Sequence, residues 1–322
     1  MSDADSPAVD SKLVRRLIAG EFAVTAEITP PVAAGAAPLL DKAMMLKDCV
    51  DAVNVTDGAS ARVHMSSTAS GAILAANGIE PVVQFTCRDR NRIAILSDLL
   101  GAGAQGIHNL LMLSGDDPTQ GDQPDAKPVF DFESADLIRI ARQMTDQGVL
   151  PSTGAKIKGD DVEPGTRPID PPPQFFVGAA DTPTAEANEK WITDLRSKIK
   201  VGAQFIQTQL CYDIDIVRGY AALLEEKEFS EHLFVLIGNG PLLSAKSAVW
   251  MRDNLFGVAM PDSVIQRLED ADDPKQEGIK LCVDQIAEMA EIPGISGVHL
   301  MAPVNTSSIP EVIAAAAISN QS

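Results

Sequence analysis

Short apolar runs rich in β-branched residues recur along the chain, separated by longer stretches with helical periodicity. The runs are FAVTAEI (22–28), AVNVT (52–56), PVVQFT (81–86), HNLLMLS (108–114), FFVGA (175–179), FIQTQ (205–209), LFVLIG (233–238) and GVHLM (297–301). Their near-continuous apolar character predicts strands covered by helices on both faces. Between them, PLLDKAMMLKD, NRIAILSDLLGAG and NEKWITDLRSKIKVG read as helices, several of them closing on glycine, the usual helix stop.

The spacing of the runs narrows the fold. The first four end near residues 28, 56, 86 and 114, and the fifth to seventh near 179, 209 and 238. Each step is about 30 residues, the length of one strand–helix unit. Eight such units predict an α/β fold, a closed (β/α)8 TIM-type barrel, in one domain over 21–322. Residues 1–20 read as an acidic arm with a lead-in helix. Two steps are long. One holds the Pro/Gly-rich stretch 151–174, read as an inserted loop, and the other holds extra helices around 262–291, before the eighth strand. The glycines of Gly101-Ala-Gly103-Ala-Gln-Gly106 have the spacing of a dinucleotide fingerprint. That fingerprint must follow a strand and open a helix. Here a helix precedes and a strand follows, so the glycines read as a helix stop and a tight turn.

Charge and composition restrict the partners. The chain of 322 residues carries a formal charge of −19, with 45% hydrophobic and 22% charged residues. Such a surface repels nucleic-acid phosphates and anionic lipid, so neither is expected as a partner. No apolar leader and no run of about 20 apolar residues is visible, which points to a cytoplasmic protein. The four cysteines have no CxxC pairing and read as reduced thiols. The four histidines have no metal-ligand spacing, so no metal site is expected. His108 and His299 fall at or within strands and read as structural.

A barrel of this type gathers its chemistry at the C-terminal ends of its strands. The polar residues there are Glu27, Thr56 and Asp57, Gln84 and Thr86, Ser114, Gly115 and Asp116, Thr208 and Gln209, Asn239, and Asn305. Glu27 is the sharpest candidate. It lies in an otherwise apolar strand that two prolines terminate, and burial would suit its carboxyl to giving up a proton near neutral pH. An ion pair at the barrel rim explains it equally well. Asp116, after a glycine that lets a ligand approach, reads as a hydrogen-bond acceptor for a heterocycle or as a turn residue. Gln209 offers a donor and an acceptor to a ring edge, or to the backbone.

The stretches A-E-I-T-P-P, V-N-V-T-D-G, Q-F-T-C-R-D-R-N, L-S-G-D and K-I-K-V-G-A-Q-F-I-Q-T-Q, in this order over about residues 20–310, resemble the methylenetetrahydrofolate reductase family. The resemblance implies non-covalent FAD across the strand ends, with NADH or NADPH as co-substrate. It implies a ping-pong reduction of 5,10-methylenetetrahydrofolate to 5-methyltetrahydrofolate, or the reverse oxidation. Glu27 looks like the general acid, Asp116 like the aspartate near flavin and folate, and Gln209 like the glutamine that contacts folate and nicotinamide. Thr56, Asp57, Ala59, Gln84, Gly115 and Lys198 fall at flavin-contact positions. Ser114 stands where many members carry arginine, Phe132 and Ala180 are nearest to the aromatic contacts after strands four and five, and Asn305 is nearest to a folate-contacting arginine after strand eight. The family forms homodimers or tetramers, so a homo-oligomer is expected. Longer members add a C-terminal domain that binds S-adenosylmethionine; the chain stops soon after strand eight, so that control is expected to be absent. A non-catalytic companion subunit with the same fold, or a folate- or corrinoid-dependent methyltransferase, remains open at this point.

Overall fold

The computed structural model describes residues 9–151, 156–157, 160–161, 167–184, 186, 188–302 and 305–316. Eight parallel strands close into a barrel: β1 Ala23–Ile28, β2 Ala52–Val55, β3 Pro81–Thr86, β4 Asn109–Leu113, β5 Phe176–Asp181, β6 Phe205–Leu210, β7 Phe234–Asn239 and β8 Gly297–Met301. Each strand pairs with its neighbour in sequence, and β8 returns to β1 with Thr25 opposite His299 and Glu27 opposite Met301. All eight apolar runs are strands, with ends shifted by no more than about two residues, the usual uncertainty of such boundaries.

Alternation sorts each strand into two faces. On β1, Val24, Ala26 and Ile28 join the apolar layer under the surrounding helices. Ala23, Thr25 and Glu27 have the opposite parity and line the barrel interior, as do Phe205, Gln207 and Gln209 on β6. The interior is therefore layered. Its lowest layer is apolar: Ala23, Ala52, Val82, Leu111, Phe176, Phe205 and Leu236 pack with Leu13, Val14 and Leu17 of the lead-in helix, α1 (Lys12–Ile18). The Phe176 and Phe205 rings stack there with centroids 4.8 Å apart. The layer above is polar, and the mouth lies above that.

The helices that matter for the site begin with side-chain caps. Asn91 accepts from Ala94 N at the start of α2 (Arg92–Ala104), and Asn188 accepts from Trp191 N at the start of α3 (Glu189–Lys200). The order at 101–106 is helix, turn, strand, as the sequence suggests. Two helices, Asp262–Glu269 and Pro274–Ala290, lie between β7 and β8. The reading of 151–174 as an inserted loop falls largely outside the described residues. At its margins Val149–Leu150 pairs antiparallel with Arg167–Pro168.

Candidate active site

The layer above the apolar floor consists of amides, a hydroxyl and an imidazole. Asn54 and Gln207 form a reciprocal amide pair, with Asn54 Nδ2 donating to Gln207 Oε1 at 2.5 Å and Gln207 Nε2 donating to Asn54 Oδ1 at 3.1 Å. Gln207 Nε2 also donates to Thr25 Oγ1 at 2.9 Å. Thr25 Oγ1 lies 2.9 Å from His299 Nδ1. The Thr25 hydroxyl thus links the amide pair to the imidazole, whose other ring nitrogen is Nε2. That nitrogen faces Glu27 Oε2 across 3.6 Å, too far for a direct hydrogen bond.

Above this layer a cavity of about 330 Å³ opens at the C-terminal ends of the strands. Glu27, Gln84, Ala180, Lys198, Thr208 and Gln209, six of the residues singled out from the sequence, line it together. Glu27, Gln84, Ala180 and Gln209 lie on strands, at inward positions near their ends, and this common parity brings them together. Among the described residues, Glu27 Oε2 accepts one hydrogen bond, from Gln84 Nε2 at 2.9 Å. Gln209 has its amide engaged: Oε1 accepts from Leu210 N at 2.9 Å, and Nε2 donates to Phe256 O at 3.0 Å. Lys198, in the last turn of α3, donates to Ala180 O at 2.8 Å.

Lys198 also lines a second cavity of about 500 Å³, with Ser114, Phe132 and Cys87. Burial pushes the Cys87 thiol up to about 12, so it stays protonated at neutral pH and is no nucleophile.

Other residues singled out from the sequence have different surroundings. Asp57 faces the scaffold: its carboxylate accepts from Thr86 N and Thr86 Oγ1, both at 2.9 Å, from Ser67 Oγ at 3.1 Å, and from Arg90. Thr56 is buried at the end of β2, and its Oγ1 has no hydrogen-bond partner among the described residues. Ala59 begins a short turn, Ala59–Ala61, outside both cavities. Gly115 is part of the loop after β4. Asp116 follows it, exposed, and its side chain lines neither cavity. Asn305 donates to Ser308 Oγ and lies apart from both cavities. Asn239 is fully buried and hydrogen-bonded to Cys211 O, Gln285 and Gly240 N, which makes it a scaffold residue.

Among the lining residues that the sequence reading did not single out, His299, Asp181, Thr182 and Phe256 bear most on the site. His299, read as structural, is the imidazole beside Glu27. Its inward parity, two residues before the end of β8, was the available signal. Asp181 ends β5 and accepts from Tyr220 OH at 2.7 Å and Trp191 Nε1 at 3.1 Å. Burial raises its carboxyl, and those hydrogen bonds together with nearby Lys198 oppose the rise. Thr182 follows it. Phe256 lies in the loop after the helix Ala245–Asn254, with its ring 92% exposed at the cavity edge. An aromatic residue next to a glycine in a short loop was its only trace.

Comparison with known proteins adds ancestry to this geometry. The family model for methylenetetrahydrofolate reductase matches residues 12–317. A Caenorhabditis elegans protein named probable methylenetetrahydrofolate reductase (NADPH) is 22% identical over 256 residues, 78% of this chain and 34% of that protein. Methylenetetrahydrofolate reductase 2 of Schizosaccharomyces pombe is 27% identical over 222 residues, 66% of this chain and 31% of that protein. The chain thus spans about a third of the length of these relatives. Among solved structures, an uncharacterized protein from Clostridium thermocellum that binds two copies of 5-methyl-5,6,7,8-tetrahydrofolic acid superposes with a TM-score of 0.60 at 14% identity, covering 94% of this chain and 97% of that one. A 2,3-dimethylmalate lyase of the PEP mutase/isocitrate lyase superfamily reaches a TM-score of 0.50 at 13% identity, covering 96% and 85%. At these identities the structural likeness is one of fold.

Proposed function

The chain belongs to the methylenetetrahydrofolate reductase family, and on that premise we propose that it interconverts 5,10-methylenetetrahydrofolate and 5-methyltetrahydrofolate, with non-covalent FAD and with NADH or NADPH as electron donor. The observation that carries the reading is the setting of Glu27: a carboxyl in the mouth cavity, with Gln84 as its one direct donor among the described residues and His299 opposite.

The residues present suit a flavin dinucleotide. Such a ligand needs an elongated cleft, polar atoms for a ring edge, and a cation for its pyrophosphate. Two cavities that share Lys198 in their linings lie side by side at the strand ends, and that lysine is the cation. Thr56 Oγ1, at the end of β2, is a buried polar atom with no partner among the described residues. Thr56, Ala59, Gln84, Ser114, Gly115, Phe132, Ala180 and Lys198 would hold the group, while Asp57 would hold the loop that carries its neighbours. Bound flavin would supply the hydride relay between nicotinamide and folate.

The protein's own part is acid catalysis and positioning. Glu27 would deliver a proton to N10 of the folate, which opens the five-membered ring to an iminium cation. The hydride arriving at the methylene carbon then completes the methyl group. Gln84 orients the Glu27 carboxyl through its hydrogen bond. Gln209 and Phe256 contact the pterin, the glutamine through hydrogen bonds and the phenyl ring by stacking. Asp116 would stabilise the cation from the rim.

The test is a visible spectrum of the purified protein, recorded without air. A flavin spectrum that bleaches with NADH or NADPH and returns with methylenetetrahydrofolate supports the reading. A colourless protein that takes up no added FAD refutes it.

A further inference from the structure

Arg88 follows β3 by two residues and is only 4% exposed. Its Nε and Nη2 grip the Asp89 carboxylate, each at 2.7 Å. Its Nη1 and Nη2 donate to Gly58 O at 3.4 and 3.3 Å. Its Nη1 also donates to Asp116 O at 3.3 Å. One guanidinium therefore bridges the loop after β2 to the loop after β4. Nearby carboxylates, the hydrogen-bonded Asp89 first and then Asp57 and Asp116, favour its charged form.

Two glycines make room for this arrangement. Gly58 has φ +63°, and a Cβ there would lie 2.4 Å from Arg88 Nη2. Gly115 has φ +94°, and a Cβ there would lie 3.0 Å from Arg88 Cβ and 3.2 Å from Thr86 Cβ. Each loop thus gives up a side chain at the place where the arginine passes, and each adopts a backbone conformation that glycine tolerates best. A buried cation is costly unless its donors are met, and here they are met by two separate loops and a carboxylate.

Arg88 lines neither of the two cavities that share Lys198; it borders a separate hollow of about 220 Å³ with Asp57, Gly58 and Asp89. It cannot act by contact on a ligand in those two cavities. We propose that Arg88 is a positioning residue, a clamp that fixes the loops 57–61 and 114–118 relative to each other and thereby sets the affinity of the mouth for its cofactor. The effect on cofactor affinity rests on the function proposed above, whereas the ordering of the loops does not.

The test compares ligand-free wild type, Arg88→Met and Arg88→Lys by peptide-resolved amide hydrogen exchange, and then measures FAD binding by each. In Arg88→Met, exchange should quicken in peptides covering 57–61 and 114–118, with peptides from β5 to β8 unchanged. Arg88→Lys should fall between, because a single ammonium cannot hold Asp89 and both carbonyls at once. FAD affinity should drop by about tenfold in Arg88→Met, the loss expected when charge-assisted hydrogen bonds are removed. Wild-type exchange in both loops of the Met variant overturns the clamp. Uniform loosening of the whole barrel in both variants overturns it too, since Arg88 would then be a general core residue. If only the Met variant fails to fold, Arg88→Lys decides by the same local pattern, and wild-type exchange in its two loops overturns the clamp. A wild-type protein that binds no FAD overturns the functional reading, and the exchange data still decide the clamp.

Discussion

At the floor of the barrel, Glu80 accepts from Ser11 Oγ at 2.6 Å, Asn109 Nδ2 at 2.9 Å and Leu13 N at 3.0 Å, and so ties the start of α1 to β3 and β4. At the mouth, Glu27 accepts from Gln84 alone among the described residues, beside an imidazole just out of reach. The carboxylate at the floor is surrounded by donors; the one at the mouth keeps lone pairs for a proton or a substrate. Distance from the mouth does not by itself decide the matter. Asp57 is at the mouth end, yet with four donating groups it resembles Glu80 more than Glu27. The number of donors around a carboxylate, more than its depth, sets Glu27 apart from Glu80 and Asp57.

The largest expected effect tests the mouth. Glu27→Gln keeps the shape and removes the proton, so folate reduction should fall by about a thousandfold, within the usual range for a general acid. Flavin reduction by the nicotinamide should stay near wild type. Rapid mixing of the two half-reactions measures both rates, and an equal loss in each breaks the contrast. Next comes the floor. Leu13→Ala empties a fully buried site under the barrel and should cost roughly 2–4 kcal/mol of stability. Denaturant unfolding measures that cost, and the folate half-reaction should keep its rate at temperatures where the variant is folded. A similar loss of rate would show that the two ends are not independent.

Phe256→Ala should have a smaller effect. Its ring is 92% exposed, so the thermal midpoint should not move. The KM for folate should rise by roughly five- to tenfold, the worth of one aromatic contact. Steady-state kinetics beside a melting curve separates the two. The smallest effect belongs to Asp181, half-buried in the cavity wall. Burial raises its carboxyl above the ordinary value. The stability that comes from the neutral form is complete below the unfolded-state value and is lost as pH rises through the folded one. Asp181→Asn stays neutral, so it should melt slightly higher than wild type at pH 7, with the gap closing as pH falls towards 4. Melting curves across that range measure the gap, and a gap that widens towards low pH contradicts the assignment.

Most of the fold was legible in the chain because barrel strands are buried on both faces. PVVQFT and LFVLIG announce themselves as continuous apolar runs, and the step of one strand–helix unit closes the count at eight. The site was legible where it obeys the alternation of a strand. Glu27, Gln84 and Gln209 share inward parity near strand ends, so they converge. Sequence could not show that Asp57 turns towards Arg90 and Thr86, because that depends on how separate strands register with one another. Nor could it show His299 beside Glu27, a neighbourhood created by the pairing of β1 with β8. Phe256 reaches the mouth from a loop beyond a helix, where no periodicity tracks position in space. Asn305 and Asp116 were chosen by their place after a strand, a criterion that does not say which way a side chain turns.

The return of β8 to β1 also bears on how the protein is made. Thr25 and His299 are 274 residues apart in the chain yet share a hydrogen bond under Glu27. Contacts at such separation form late and slowly, because a long loop must close before they repay it. A chain emerging from the ribosome would carry Glu27 from the outset, with β1 as an unpaired edge. The imidazole that completes its setting would arrive only when the last strand docks. Chemical competence would then coincide with barrel closure, and refolding followed by return of activity should lag behind the recovery of helical signal.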